Sequence, residues 1–161
     1  MKRGKGFTLL ELVIALAVIT IISGGLFIVF RQTPRFALES ASLQLQADIS
    51  YVQRRAIAEG QRFRIVLSRV NNNYVVYSVS PGNIANVELR RVYLQNNVLL
   101  QMPCANNPTN LTHMIEFLPR GTVSGSTTTR LVNGRYEQDI TIVPNGGRAY
   151  IQDIVVTNLR R

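Results

Sequence analysis

Residue types that support catalysis or bind metals are few and widely separated in this chain. It contains one histidine, His113, and one cysteine, Cys104, and their separation matches no zinc-ligand spacing. Ser124 and Ser126 lie in a Gly/Ser/Thr-rich stretch with no base nearby in sequence to activate a hydroxyl. A glycine-rich phosphate loop is also missing from the sequence. This inventory predicts a protein that is not an enzyme and that uses no metal or cofactor.

Two further candidates, an acidic pair and the lone cysteine, carry weaker signals. Glu137 and Asp139 are two positions apart in a predicted strand, so they share one of its faces. Their carboxylates could bind a cation, although we favour a solvated acidic face. Cys104 lies in the turn-rich run Met102–Pro108 and has no second cysteine for an intramolecular disulfide. We interpret it as incidental, with intermolecular pairing as the alternative.

The position of Glu11, a single charged residue in an apolar segment, needs an explanation beyond solubility. It is the only charged residue between Phe7 and Phe30, in a segment that is otherwise largely apolar. An ionised carboxylate inside a membrane is costly unless it has a partner. Glu11 therefore either stays hydrated near the membrane interface or awaits a cation from another subunit.

The apolar segment has the length and flanks of a transmembrane helix. Residues 12–30 contain 19 positions without a charge, enough to cross most of a hydrocarbon core of ~30 Å. Lys2, Arg3 and Lys5 precede it, which places the N-terminus in the cytoplasm and the globular part outside. A secretory signal is cleaved after its short apolar region, whereas the possible cleavage point here, Gly6, comes before it. We therefore expect a single-pass protein of the cytoplasmic (inner) membrane that retains this segment.

The string Gly6-Phe7-Thr8-Leu9-Leu10-Glu11 resembles the class III signal of type IV pilins and type II secretion pseudopilins. This resemblance implies that a prepilin peptidase cuts between Gly6 and Phe7 and methylates the new Phe7 amine. It implies that Glu11 acts in filament assembly. It further implies the pilin fold, other pilin or pseudopilin subunits as partners, and a final location in a pilus or pseudopilus.

Charge pairing gives this resemblance a physical rationale. The α-amino cation of Phe7 on an incoming subunit can neutralise Glu11 of a neighbour already in the filament. Neither charge is stable alone within an apolar helical bundle, so the pair sets the register of each new subunit. The chain departs from many major pilins in having Ile28 where they carry a proline, and Gly24 and Gly25 are the nearest weak points.

Apolar periodicity predicts that helix continues beyond the membrane segment. Pro34 would kink or interrupt it, and Gly60 is a suitable end. Steps of three and four place one apolar face on Leu38, Ala41, Leu45, Ile49, Val52 and Ala56. We expect a spine helix from Phe7 to Glu59, transmembrane over residues 7–30 and amphipathic over residues 31–60.

From residue 61 onward the apolar period changes to two, which is typical of strands. The predicted strands are Arg62–Leu67, Tyr74–Val79, Val87–Leu94, Val98–Gln101, Met114–Leu118, Thr128–Val132, Gln138–Val143 and Arg148–Val156. Asn and Gly clusters mark the turns between them. The sequence therefore predicts an α+β fold. After a leader of residues 1–6, the amphipathic half of the helix packs on one antiparallel sheet within a β-rich domain, residues 61–161.

The second half of the chain resembles the GspH/FimT-like minor pilins. The resemblance lies in Arg54–Gly60 before a strand, in Phe117–Gly121, and in Ile140–Ile142 followed by Gly147 and Arg148. It implies a minor pilin or pseudopilin subunit of a type IV pilus or type II secretion filament, acting in filament initiation or assembly. The sequence leaves pilus, secretion and competence systems open.

Binding of DNA is the alternative function. The chain carries 18 basic against 9 acidic residues, a net charge of +9, which favours anionic partners. Some FimT-like minor pilins are DNA receptors that use basic residues near the C-terminus. That resemblance selects Arg160, Arg161 and Arg148, with Arg120, Arg130 and Arg135 as further candidates in loops or strand ends. Because these arginines are dispersed, plain solubility is the competing explanation.

Overall fold

The computed structural model describes residues 8–31, 33–80, 86–101, 111–125 and 127–157, without the side chains of residues 23–31. The chain divides into two compact units, Met1–Thr33 and Pro34–Arg161. The first contains helix α1, Leu9–Arg31. In the portion of the chain that the structure describes, no helix has both the length and the apolar character needed to cross a membrane.

The helical part of the chain is interrupted at Pro34. A second helix, α2, runs from Pro34 to Glu59, so the expected spine from Phe7 to Glu59 is wrong as one continuous helix. Proline lacks the N–H that would continue the α1 hydrogen bonds, yet it suits the first turn of a new helix. The predicted interruption at Pro34 is therefore confirmed, while Phe7 itself lies outside the described residues.

Helix α2 buries the face that its periodicity predicts. Leu38, Leu45, Ile49, Val52 and Ala56 are buried, and Ala41 packs against the same core. The predicted end is also confirmed, because Gly60 follows the helix with a positive φ of 62°.

In the described parts of the chain, nine strands follow the helix. They are β1 Arg62–Ser68, β2 Asn73–Val79, β3 Asn86–Tyr93, β4 Leu99–Gln101, β5 Thr112–Phe117, β6 Thr127–Asn133, β7 Tyr136–Ile142, β8 Ala149–Ile151 and β9 Val155–Val156. Seven of the eight predicted strands are confirmed with shifts of one or two residues at their ends. The last prediction, Arg148–Val156, is wrong as a single strand, because it forms the short strands β8 and β9, which pair with opposite ends of β7.

The strands form two antiparallel sheets rather than the single sheet that we expected. The first sheet has the order β3-β2-β1-β5, and the second runs β4-β6-β7-β8 with β9 also on β7. Helix α2 contacts β1 and β5 of the first sheet and β6, β7 and β8 of the second. One apolar helix face therefore covers both sheets, and the predicted α+β fold is confirmed with a two-sheet architecture.

The core of the second unit joins all three layers. Phe63 and Phe117 of the first sheet, Leu131 and Ile140 of the second, and Leu45 of α2 are 0% exposed. Each such side chain contributes ~1.5–3 kcal/mol by leaving water. This core fixes the strand ends and turns that carry the candidate functional residues.

A polar contact lies within this core. The carboxylate of Asp48, on α2, accepts a hydrogen bond from the Tyr74 hydroxyl at 2.6 Å and one from the Arg90 guanidinium at 2.7 Å. Burial beside this carboxylate raises the pKa of the Tyr74 phenol well above its usual range. The buried charge is therefore paired and hydrogen-bonded, and it ties α2 to two strands of the first sheet.

Candidate functional site

The N-terminal motif begins helix α1 with a capping arrangement. The Thr8 hydroxyl accepts a hydrogen bond from the Glu11 backbone N–H at 3.3 Å, and the Thr8 carbonyl accepts one from the same N–H at 3.1 Å. Thr8 and Glu11 thus occupy the N-cap and N3 positions of the helix, in the Thr-x-x-Glu pattern that is typical of a capping box. Gly6 and Phe7 lie outside the described residues.

The Glu11 side chain is exposed in the first turn of α1. A carboxylate at this position interacts favourably with the partial positive charge of the helix N-terminus. Around it, the large apolar side chains of residues 9–22 are also exposed, including Leu9 at 82% and Leu10 at 69%. The structure therefore presents one carboxylate at the start of an apolar helix, where a cation from outside the helix can reach it.

A second candidate site lies where two turns touch. Gln53, on α2, donates its side-chain N–H groups to the Gly121 carbonyl at 3.0 Å and to the Gly146 carbonyl. Gly147 has a positive φ of 58°, and a Cβ there would lie 2.2 Å from the Gly121 oxygen. Two turns separated by 26 positions in the sequence are therefore held in direct contact by one glutamine.

Arg120 and Arg148 flank the two glycines that meet in this contact. Both side chains are exposed. No carboxylate among the described residues forms an ion pair with either of them. Two exposed guanidinium groups on turns that contact each other can bind anions such as phosphates.

Arg130, another predicted candidate, is engaged elsewhere. It donates to both carboxylate oxygens of Asp139, at 2.7 and 3.0 Å, and to Glu137 at 3.0 Å. The expected solvated acidic face of Glu137 and Asp139 is therefore corrected: the cation that they hold is the Arg130 guanidinium from the neighbouring strand. This pairing weakens Arg130 as a phosphate ligand.

The last described residues of the chain and Arg148 lie at opposite ends of β7. Arg160 and Arg161 lie outside the described residues. The last described residue, Thr157, donates its backbone N–H to the Arg135 carbonyl at 2.8 Å. Arg135 lies in the turn before β7, whereas Arg148 follows the turn at the other end of that strand. The structure does not bring Arg148 to the point where the tail begins.

The remaining catalytic candidates form no cluster in the described parts of the chain. His113 lies on the edge strand β5 and is half-buried, with Nε2 3.1 Å from the Thr127 hydroxyl. Burial lowers the pKa of its imidazole. Within the described ranges, no three His, Cys, Asp or Glu residues come together to hold a metal ion. Ser124 is exposed in a turn, and Ser126 and Cys104 fall outside the described residues.

Two family models match the sequence. Residues 1–27 match the prokaryotic N-terminal methylation motif, and residues 41–146 match the type II transport protein GspH. These matches confirm both resemblances that the motifs indicated. None of the curated proteins compared with the chain matches it.

Solved structures share the fold. The minor pseudopilin EpsH of the Vibrio cholerae type 2 secretion system aligns with 74% of this chain and 96% of its own, at a TM-score of 0.57 and 11% identity. The type IV minor pilin FimU of Pseudomonas aeruginosa aligns with 74% of this chain and 90% of its own, at a TM-score of 0.56 and 14% identity. At these identities the likeness shows the fold, which is the predicted pilin fold.

Proposed function

We propose that this minor pseudopilin or pilin, which belongs to the family of the type II transport protein GspH, acts in filament initiation or assembly. The observation that carries this proposal is the exposed Glu11 carboxylate at the start of an exposed apolar helix. Filament subunits of this kind assemble with other pilin subunits, and the methylation motif implies processing by a prepilin peptidase. The role that we propose is structural, without catalysis or a cofactor.

Processing would create the second half of the charge pair. We propose that residues 1–6 are the leader, that cleavage falls between Gly6 and Phe7, and that Phe7 becomes N-methylated. The new amine then carries a positive charge four positions before Glu11 in the sequence of each subunit. Pairing between Phe7 of one subunit and Glu11 of its neighbour neutralises both charges in an apolar bundle, where either alone is costly.

Before assembly, we propose that residues 7–30 lie in the cytoplasmic membrane, with the N-terminus inside and the β-rich domain outside. Three basic residues precede the segment, which favours this orientation. The exposed apolar side chains of residues 9–22 need a non-aqueous environment, which lipid or neighbouring helices would supply. We further propose that residues 31–60 and 61–161 act outside the membrane as the amphipathic half-helix and the globular domain.

Variants at the capping box test the pairing against a purely structural role of Glu11. Glu11→Gln removes the charge but keeps a side chain that suits a capping box, whereas Thr8→Ala weakens the cap by ~1 kcal/mol and keeps the charge. We expect Glu11→Gln and Glu11→Ala to be cleaved normally and to enter sheared filaments at a small fraction of the wild-type amount. Thr8→Ala should enter nearly as well as the wild type. Normal incorporation of Glu11→Gln into filaments would contradict the pairing mechanism.

DNA uptake is a second candidate, which one observation favours. The Gln53 contact holds Arg120 and Arg148 on adjoining turns, both exposed and both without an ion pair to the described carboxylates. We propose that these residues contact phosphates if the protein captures DNA. The measurement is fluorescence anisotropy of a labelled DNA duplex with the full chain in an uncharged detergent, across a salt series. Binding with a steep negative log–log salt slope would support this function, and no binding at low salt would exclude it.

A further inference from the structure

The contact among Gln53, Gly121 and Gly147 brings three separate segments of the chain together. Gln53 donates its side-chain N–H groups to the Gly121 carbonyl at 3.0 Å and to the Gly146 carbonyl. Gly147 lies so close to Gly121 that a Cβ there would collide with the Gly121 oxygen. The end of α2, the turn after β5 and the turn after β7 therefore meet at one place.

An exposed arginine lies next to each member of this contact. Arg54 follows Gln53, Arg120 precedes Gly121 and Arg148 follows Gly147, and all three side chains are exposed. Consecutive Cα atoms are ~3.8 Å apart, so each arginine begins within one such step of the contact. The stem of Arg148 stays close to it as well, because its Cγ lies 3.9 Å from where a Cβ on Gly146 would be.

No carboxylate of the described chain neutralises these three arginines. All nine acidic residues of the sequence are among the described residues. Those that form ion pairs do so with other arginines, and they are Asp48, Glu59, Glu88, Glu116, Glu137 and Asp139. The place where the three segments meet therefore carries a positive charge that the described residues leave uncompensated.

An exposed apolar side chain lies beside this charge. Ile57, one helical turn after Arg54, is 55% exposed. Its Cδ1 lies 2.6 Å from where a Cβ on Gly121 would be, so it packs against the turn that carries Arg120. Arginine around an apolar centre is typical of protein interfaces, whereas a phosphate backbone gains little from an aliphatic side chain. We define the basic patch as Arg54, Ile57, Arg120 and Arg148.

A second copy of this chain offers few carboxylates to the basic patch. The acids outside ion pairs are Glu11, Glu39 and Asp153, which lie in α1, in α2 and between β8 and β9. Glu39 also lies one helical turn after Arg35, a cation that offsets its charge. The complementary surface therefore has to come from a different protein.

We propose that the basic patch docks a different subunit of the filament, on a face where carboxylates flank an apolar side chain. This inference rests on the proposed filament function and gives it a contact site separate from Glu11. Opposite charges across the interface would select this neighbour, because a subunit that presents arginine there instead would be repelled. The apolar contact with Ile57 would supply the desolvated centre of the interface.

Photocrosslinking in cells that assemble the filament tests this contact. The photoreactive residue p-benzoylphenylalanine replaces Ala58, which is exposed, lies one turn after Arg54 and has little side chain to lose. The matched control carries the same residue at Val70, which is 66% exposed beside Arg69, another exposed arginine outside the ion pairs. Mass spectrometry identifies the crosslinked products in sheared filaments and in membranes.

We expect position 58 to crosslink to one other filament subunit, at a peptide that carries Asp or Glu within a few residues. Arg54→Glu and Arg148→Glu, introduced separately, should each lower the yield about fivefold or more, because a like charge would then face the carboxylates. Arg54→Lys should keep most of the yield, and Arg69→Glu should leave it unchanged. All these residues are exposed and outside ion pairs, so the urea unfolding midpoints should stay at the wild-type value.

The outcomes distinguish this contact from the function on which it rests. Absence of the wild-type chain from sheared filaments would overturn the proposed function and the contact together. If the wild-type chain is present, crosslinking of position 58 only to DNA, to lipid or to a second copy of this chain would overturn the contact alone. The same conclusion would follow from no product, from an equal yield of the same subunit at position 70, or from a yield that Arg54→Glu and Arg148→Glu leave unchanged.

Discussion

His113 gives the β-rich unit a stability that depends on pH. Burial lowers the pKa of this imidazole, so the folded state binds a proton less readily than the unfolded chain, in which histidine titrates near ~6.5. The contribution is complete above ~pH 6.5 and is lost as the pH falls below that value. We expect the urea unfolding midpoint of the full chain in detergent to drop between pH 7 and pH 5. In His113→Gln the drop should be smaller, and equal drops would contradict this account.

Single residues also show where sequence reasoning reaches its limit. The Thr-x-x-Glu pattern at Thr8 could have been identified as a capping box, because its signal is local. Asp48 and Gln53 carry no comparable signal, since their partners come from distant parts of the chain. Asp48 bonds to a residue 26 positions away, and Gln53 to one 68 positions away. In the sequence, such side chains cannot be distinguished from solvated polar residues, because their partners become neighbours only in the folded chain.

At the level of elements, the contact between the Gly121 and Gly147 turns depends on the absence of a side chain. A Cβ at Gly147 would lie 2.2 Å from the Gly121 oxygen and 2.6 Å from the Gln53 amide nitrogen, at a φ of 58°. Gly134 has nearly the same φ, 61°, with nothing within 4 Å of its Cβ position. It therefore isolates the backbone cost, ~1–2 kcal/mol for a left-handed residue other than glycine.

We expect Gly147→Ala to destabilise the full chain by at least ~1 kcal/mol more than Gly134→Ala, because the turns must separate to admit the methyl group. Urea unfolding followed by far-ultraviolet circular dichroism measures both. The same variant should lower the contribution of Arg148 to duplex DNA binding. Equal destabilisation by the two substitutions would show that separating the Gly121 and Gly147 turns costs no measurable free energy.

Elements with strong local periodicity were predicted well. The apolar face of α2 and the strands from Arg62–Leu67 to Gln138–Val143 follow from alternation within each segment. The division into two sheets did not follow, because the pairing of β5 with β1 joins segments about 50 residues apart. The division of the predicted strand Arg148–Val156 into two strands could not be predicted for a similar reason. β8 and β9 both take β7 as their partner, and Gln152, between them, donates its backbone N–H to the Asp139 carbonyl at 2.9 Å.

At the scale of the whole molecule, the two units differ in whether their apolar side chains are buried. Every residue of the buried core cluster lies between Ala37 and Ala149, within the second unit. The start of α2 is anchored there as well, since the Asn133 side chain donates to the Pro34 carbonyl at 3.1 Å. We therefore expect the stability of the β-rich unit to be independent of α1, whose large apolar side chains over residues 9–22 are exposed.

This independence predicts that a fragment of residues 34–161 folds alone and unfolds cooperatively in urea. A second fragment, starting at Leu43, is the matched control. It lacks Leu38, which is 0% exposed, together with the Pro34 anchor, and it should lose at least the ~2–5 kcal/mol that removal of one buried leucine costs. Circular dichroism at matched concentrations compares the two midpoints. A broad, non-cooperative transition in the longer fragment would show that α1 contributes to the folded core. Mutations in α1 could then no longer be interpreted through filament assembly alone, because each would also change the stability of the exposed domain.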